Sequence, residues 1–194
     1  LARMYEQGKG VSVDKDKAAE LYMQAAKKRQ RNAPSELSRL ALEGNKIVQQ
    51  WTIEQAEKED KQAQHTLAKM YEQGKGVVVD KDKAANLYIQ AAKKRHIGAF
   101  MELIRLALEE GNKIAQQWVI EQAEKEDQQA QFTLGKMYEQ GEGVSVDKDK
   151  AANLYIQAYK KGNWDAPSEL GRLALEGDNN IVRQWAIEQA EKED

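Results

Sequence analysis

The fold is decided by residues 63–94, AQHTLAKMYEQGKGVVVDKDKAANLYIQAAKK, because they contain two helical patterns and the turn between them. Its first part carries apolar residues at positions 63, 67, 70 and 71, the spacing of one face of a helix. Gly74 and Gly76 interrupt that pattern, and Asp80 precedes a second helical pattern rich in alanine. We therefore predict a helix that ends at Gly74, a turn, and a second helix that Asp80 caps at its N-terminus.

This stretch recurs along the chain. LARMYEQGKGV begins at Leu1, LAKMYEQGKGV at Leu67 and LGKMYEQGEGV at Leu134. A tryptophan predicted to pack in the core also recurs at equal intervals, at Trp51, Trp118 and Trp185. The sequence therefore divides into three blocks, 1–66, 67–133 and 134–194.

Each block contains a second, shorter hairpin. The segment APSELSRLALEGNKIVQQWTIEQAEKED at 33–60 repeats the frame of the first hairpin, with Ala33, Leu37, Arg39 and Gly44 in the corresponding places. The chain is thus predicted to hold six hairpins of alternating type. A hairpin of this size cannot bury its own apolar face, so neighbouring hairpins must stack to form a continuous core. The predicted fold is an all-α, α/α solenoid.

The pattern A-x3-L-(A/G)-x-M-Y-x2-G-x-G-V-x2-D-x2-KA-x2-LY-x2-AA resembles the Sel1-like repeat, a relative of the tetratricopeptide repeat. Three copies fit it, at 1–26, 63–92 and 130–159, and the last departs from it at Tyr159. The three hairpins between them resemble degenerate members. The resemblance implies a right-handed superhelix that binds other proteins. Because Leu1 lies inside a motif, we expect the sequence to be a segment of a longer array.

Composition excludes several classes of function. Lysine and arginine total 30 against 32 aspartates and glutamates, so the net charge is −2. That balance argues against nucleic-acid binding through phosphate contacts, and no apolar run is long enough for membrane insertion. Cysteine is absent, which excludes disulfides and thiolate chemistry. Neither the compartment nor the oligomeric state can be predicted from these figures.

Motifs that resemble ligand sites are better explained as structure. The glycine pairs at Gly8, Gly74 and Gly141 follow a helix and lack the remainder of a phosphate-binding loop. The Asp-Lys-Asp-Lys runs lack the glycine and glutamate of a calcium loop. His65 and His96 occur in no other block, and we predict that both are surface residues. We expect no catalytic site, cofactor or metal.

Two features favour a binding surface. The first is a basic column, one cation at the same slot of each hairpin, which tetratricopeptide geometry would direct into a concave groove. Its members are Arg3, Arg39, Lys69, Arg105, Lys136 and Arg172. Such a column would suit an acidic segment or a terminal carboxylate. The alternative is local pairing with glutamates on the same helix, which would neutralise the charge.

The second feature is a difference between blocks. The first and third blocks have similar polar stretches, RQRNAPSELS at 29–38 and GNWDAPSELG at 162–171. The equivalent stretch of the middle block is RHIGAFMELI at 95–104. Apolar side chains in otherwise polar slots indicate a partner site, although irregular core packing explains them equally well. The predicted partner residues here are Ile97, Phe100, Met101 and Ile104, with His65 and Phe132 on neighbouring helices.

The function predicted from these features is a non-enzymatic scaffold or adaptor that binds a protein or peptide on its concave surface. Two alternatives remain open at this point. One is an immunity or inhibitor protein that neutralises a secreted bacterial toxin, which the family resemblance allows. The other is a structural or consensus-designed repeat without a cognate ligand, which the near-identity of the blocks allows.

Overall fold

The computed structural model describes residues 1–176 and 179–193, and its regular structure in those ranges is entirely α-helical. The helices are α1 (Ala2–Gln7), α2 (Lys15–Lys27), α3 (Ala33–Leu42), α4 (Lys46–Glu57), α5 (Lys61–Gln73), α6 (Lys81–Lys93), α7 (Ile97–Leu108), α8 (Lys113–Glu124), α9 (Gln128–Gln140), α10 (Lys148–Lys160), α11 (Ala166–Leu175) and α12 (Asn180–Glu193). These helices follow one another as hairpins, so the all-α repeat architecture predicted from the sequence is confirmed.

The chain forms two compact units, residues 1–102 and 103–194. In the first unit each helix from α1 to α5 packs on the next along the chain, and α3 also packs on α5, so that successive hairpins stack. Alanines such as Ala18 and Ala84 are completely buried, and their small side chains let the helices approach closely. The larger side chains between them include Tyr88 and Met70, both fully buried.

The second unit repeats this construction. Helices α8 to α12 pack in sequence, and α10 also contacts α12. Its core contains Tyr155, Leu170 and Leu173, which are almost fully buried. The tryptophans were predicted to pack in the core. Trp118 is buried, while Trp51 and Trp185 are half-buried against the cores of their own units.

The turn inside the longer hairpin is formed as the sequence predicts. Gly74 ends α5 in a left-handed conformation with φ of 66°. The side chain of Asp80 accepts a hydrogen bond from the backbone N–H of Lys83 at 2.9 Å, which caps α6. The glycine pair and the aspartate therefore serve helix termination and helix initiation.

Candidate functional site

The start of α7 carries the most exposed of the predicted partner residues. Ile97 is 82 % exposed and Met101 is 53 % exposed. They lie four residues apart on one helix, so both side chains point to the same face. Phe100, between them, is half-buried. The first turn of α7 thus presents an apolar face to solvent.

The other two blocks hold different residues at these two positions. Arg31 and Ser35 occupy them in the first block, and both are exposed. In the third block they are Trp164, which is 91 % exposed, and Ser168. The backbone frame therefore accepts a cation, an aliphatic or an aromatic side chain here. Trp164 was missed as a candidate although it lies in the same block-specific stretch.

Two predicted partner residues offer little surface to a ligand. Ile104 is 9 % exposed and Phe132 is 5 % exposed. The Phe132 ring packs on Tyr155 with 5.4 Å between ring centroids, and the Lys136 ammonium lies 5.0 Å from the Phe132 ring. Phe132 belongs to the hydrophobic core of the second unit. For these two positions the structure therefore favours the packing alternative.

The cations of the basic column have carboxylate partners. In the first unit, Arg3 pairs with Glu36 at 2.6 Å. Arg39 pairs with Glu36 at 3.0 Å, with Glu6 at 2.5 Å and with Glu43 at 2.9 Å. These bonds join neighbouring hairpins, because Glu6 and Arg39 come from different ones. Pairing on a single helix was one of the two alternatives for the column. The bonds from Arg39 to Glu36 and Glu43 are of that kind, whereas the bonds Arg3–Glu36 and Arg39–Glu6 cross from one hairpin to the next.

The same glutamate position supplies the partner of Lys69, which contacts Glu102 at 3.0 Å. The glutamate that recurs at the same position of each shorter hairpin, as Glu36, Glu102 and Glu169, was the sequence signal for this pairing. Helical spacing points only to the glutamate three residues after each cation, and therefore does not reveal a partner on a neighbouring hairpin.

The second unit shows the corresponding pairs. Lys136 contacts Glu169 at 3.5 Å, and Arg172 contacts Glu169 at 3.1 Å and Glu176 at 2.5 Å. Arg172 also bonds to Glu139. Elsewhere in this unit, Arg105 bonds to Glu110. The column is therefore a series of ion pairs in both units.

A buried tyrosine extends each network towards the core. The Tyr22 hydroxyl donates to Glu6 at 3.0 Å, and the Tyr155 hydroxyl donates to Glu139 at 2.8 Å. Burial, together with the acceptor carboxylate, raises the pKa of both tyrosines. The hydrogen bond from Arg3 lowers the pKa of Glu36. The raised pKa keeps the two tyrosine hydroxyls protonated as donors, and the lowered pKa keeps Glu36 ionised as an acceptor.

The histidines are less exposed than the sequence analysis predicted when it placed both at the surface. His65 and His96 are half-buried and stacked on each other, with ring centroids 4.3 Å apart. Their proximity depends on how α5 packs against the start of α7, which the spacing of two single histidines does not encode.

In residues 1–176 and 179–193 we find no group of three or more histidine, aspartate or glutamate side chains arranged to hold a metal ion. Nor does any helix in those ranges combine the length and apolarity that a membrane crossing requires.

The fold and these surfaces define a repeat protein of stacked helical hairpins. Residues 1–29, 61–96 and 128–163, more than half of the chain, match the family model described as Sel1 repeat. The chain therefore belongs to the Sel1-repeat family. The shorter hairpins fall outside the matched ranges, in agreement with their predicted degenerate character.

Two solved structures are similar to this chain. One is c5321, described as a protective antigen of uropathogenic Escherichia coli strains displaying an SLR fold, with 27 % identity and a TM-score of 0.54. The match covers 99 % of this chain and 44 % of c5321, so the chain spans less than half the length of that protein. The other is a Sel1 repeat protein from Oxalobacter formigenes, with 28 % identity, a TM-score of 0.51, and coverage of 100 % and 85 % respectively. A search of curated proteins finds no significant match.

Proposed function

We propose that this chain is a non-enzymatic scaffold that binds a protein partner through the exposed apolar face at the start of α7. Sel1-repeat proteins generally mediate protein–protein interaction. The observation that carries the proposal for this chain is the exposure of Ile97 and Met101.

The fold does not require apolar residues at these two positions, since Arg31 and Ser35 occupy them in the first block and are exposed there. Burying exposed aliphatic surface stabilises a complex by about 25 cal/mol per Å² before the costs of association are subtracted. A large exposed aliphatic residue beside a flexible methionine supplies such surface. We therefore infer a partner that presents an apolar patch of its own.

The second candidate ligand is an acidic segment bound by the basic column, and it stays a prediction. The cations Arg39 and Lys136 each have a carboxylate within 3.5 Å. An acidic ligand would have to replace an intramolecular partner, and exchanging one carboxylate for another yields little net free energy. The paired state of the column therefore favours the apolar face as the principal contact.

Affinity capture from a lysate of the source cells tests this proposal. The baits are the wild-type chain, an Ile97→Arg, Met101→Ser variant that restores the first-block residues, and Trp164→Arg as a matched control in the other unit. Circular dichroism verifies that each bait is folded. We expect a protein that the wild type and the control retain and that the double variant loses. Equal capture by all three baits would contradict the proposed surface.

The chemistry of the captured protein separates the remaining alternatives. Capture of a toxin enzyme whose activity falls on binding would identify the chain as an immunity or inhibitor protein. Capture of a non-catalytic protein would identify an adaptor. If no bait retains a protein, the structural or designed array is the better description of the molecule.

A further inference from the structure

The stacked histidines lie directly beside the first turn of α7. The His65 and His96 rings are inclined by 25°, and His65 also contacts Tyr88 of α6 at 5.5 Å between ring centroids. Gly98 leaves room for the pair, because a Cβ atom there would lie 3.2 Å from His96 Cε1 and 3.3 Å from His65 Nε2. The imidazole pair thus packs against the backbone of the turn that presents Ile97.

His96 holds that turn through a hydrogen bond that depends on its ionisation state. Its Nδ1 accepts from the backbone N–H of Ala99 at 3.0 Å. With Nδ1 acting as acceptor, the neutral ring carries its proton on Nε2, which donates to Gln62 Oε1 at 3.1 Å. The Gln62 Nε2 group in turn donates to Ser38 Oγ at 3.1 Å. Protonation of Nδ1 would turn this acceptor into an N–H donor that faces the N–H donor of Ala99.

The charges around the pair favour neutral rings. His65 is faced by Lys69 and Glu102, which pair with each other at 3.0 Å. Burial lowers the pKa of His65 to about 4, and the adjacent His96 acts in the same direction. These effects leave the His65 ring uncharged at neutral pH.

His96 has its own charged neighbours at the start of α5. Burial is the largest influence on the pKa of His96 and lowers it. Lys61 and Lys69 lower the pKa further, while the hydrogen bond with its own backbone and the charge of Asp60 raise it. Helix α6 contributes the Tyr88 ring to the cluster. Both rings of the pair are therefore uncharged in the folded protein at neutral pH.

The same arrangement recurs 67 residues further along the chain, without titratable rings. Phe132 replaces the first histidine and packs on Tyr155. Asn163 replaces the second, and its Oδ1 accepts from the backbone N–H of Ala166 at 3.1 Å, while its Nδ2 donates to Gln129 at 3.2 Å. An asparagine can therefore perform the structural role of His96, and the histidines add sensitivity to protons.

We propose that His65 and His96 form a proton-operated clasp on the first turn of α7, closed at neutral pH and opened by acid. Protonation creates two adjacent cations and removes the side-chain acceptor of the Ala99 N–H, which is left with the His96 carbonyl oxygen at 3.1 Å as its acceptor. Because this turn carries Ile97 and Met101, opening the clasp would weaken partner binding. That consequence for binding rests on the proposed function, whereas the clasp itself does not.

The direction of the pH effect follows from linkage. The unfolded chain has ordinary histidines with a pKa near 6.5, so it binds more protons than the folded chain at lower pH. The stabilisation is therefore complete above about pH 6.5 and is lost as the pH falls towards the folded-state value. For His65 the ratio of folded to unfolded molecules falls by up to about tenfold per pH unit in this window.

The test compares the wild-type chain with a His65→Phe, His96→Asn variant, which carries the residues of the equivalent positions 132 and 163. NMR titration follows the imidazole resonances, and amide hydrogen exchange, expressed as protection factors, follows Ala99 and Phe100 at pH 7 and pH 5. We expect both histidines to titrate below their usual pKa. Protection at Ala99 should fall about tenfold or more in the wild type between these pH values, and remain in the variant.

Histidines that titrate near pH 6.5, or equal loss of protection in both proteins, would overturn the clasp. His96→Asn alone provides a second check, because it keeps a cap like that of Asn163 while removing the charge. Neither measurement requires a partner. Failure of the clasp is therefore distinguishable from failure of the proposed binding function.

Discussion

At the residue scale, one glutamate in the first and one in the third longer hairpin connect the buried core with the charged surface. Glu6 accepts from the Tyr22 hydroxyl on one side and from Arg39 on the other, and Glu139 does the same with Tyr155. These interactions were not predictable from apolar spacing, because they join side chains of different helices, and the bond from Arg39 also joins different hairpins. The sequence indicated the cations but not their carboxylate partners.

Removal of the Tyr155 hydroxyl measures how much its hydrogen bond to Glu139 contributes to the free energy of unfolding. Tyr155→Phe deletes the donor to Glu139 while keeping the ring, so the free energy of unfolding should fall by about 1–2 kcal/mol. Urea denaturation at pH 7 is the measurement. Tyr159→Phe is the matched control, since the Tyr159 hydroxyl has no hydrogen-bond partner in the described part of the chain. An equal loss in the two variants would show that the hydroxyl bond contributes nothing specific.

The ion pairs predict a second pH effect, at more acidic pH than that of the histidines. The Arg3 hydrogen bond lowers the pKa of Glu36 below its ordinary value of 4.5, so the carboxylate stabilises the fold above that pH and less as acid protonates it. Glu36→Gln should therefore be less stable than wild type at pH 7, by a margin that shrinks below about pH 4.5. Urea unfolding of both proteins from pH 7 to pH 3 measures that margin. A margin that is constant with pH would contradict the ion-pair explanation.

At the element scale, the two glycines of each long turn have different tasks. The first ends the helix, as the sequence predicts. The second, Gly76, also lies against Gln49, because a Cβ atom there would fall 2.4 Å from Gln49 Oε1. Gln49 is buried and donates to the Ala41 carbonyl at 2.9 Å. The turn is therefore also a contact between hairpins, which the repeat pattern alone does not reveal.

Two glycine substitutions should separate backbone strain from this contact. Gly76 and Gly44 both have left-handed conformations, with φ of 75° and 95°, but no atom lies within 4 Å of a Cβ placed at Gly44. Gly44→Ala should cost about 1 kcal/mol through strain alone. Gly76→Ala should cost about 1–2 kcal/mol more, because Gln49 must leave its hydrogen bond. Thermal or urea unfolding measures both variants, and equal losses would rule out the contact.

At the scale of the whole molecule, a repeated frame carries block-specific side chains. The frame was predictable, because alanine spacing, helix caps and recurring tryptophans all indicate the same hairpin. The binding site stays a prediction, and the structure bears only on the exposure of its residues. Ile97 and Met101 are exposed as a binding face requires, whereas Ile104 and Phe132 are buried. Sequence alone cannot separate these pairs, since an apolar replacement has the same composition whether it faces solvent or fills a core.

The central claim is that the apolar face at the start of α7 contacts a protein partner. Site-specific photo-crosslinking tests it most directly, with a benzophenone amino acid placed at Met101 and, as the control, at Lys75, an exposed turn residue of the same unit. After irradiation in a lysate of the source cells, we predict a discrete protein adduct from position 101 that Ile97→Arg abolishes. Position 75 should give no such adduct. The same adducts from both positions, or none from position 101, would contradict the claim.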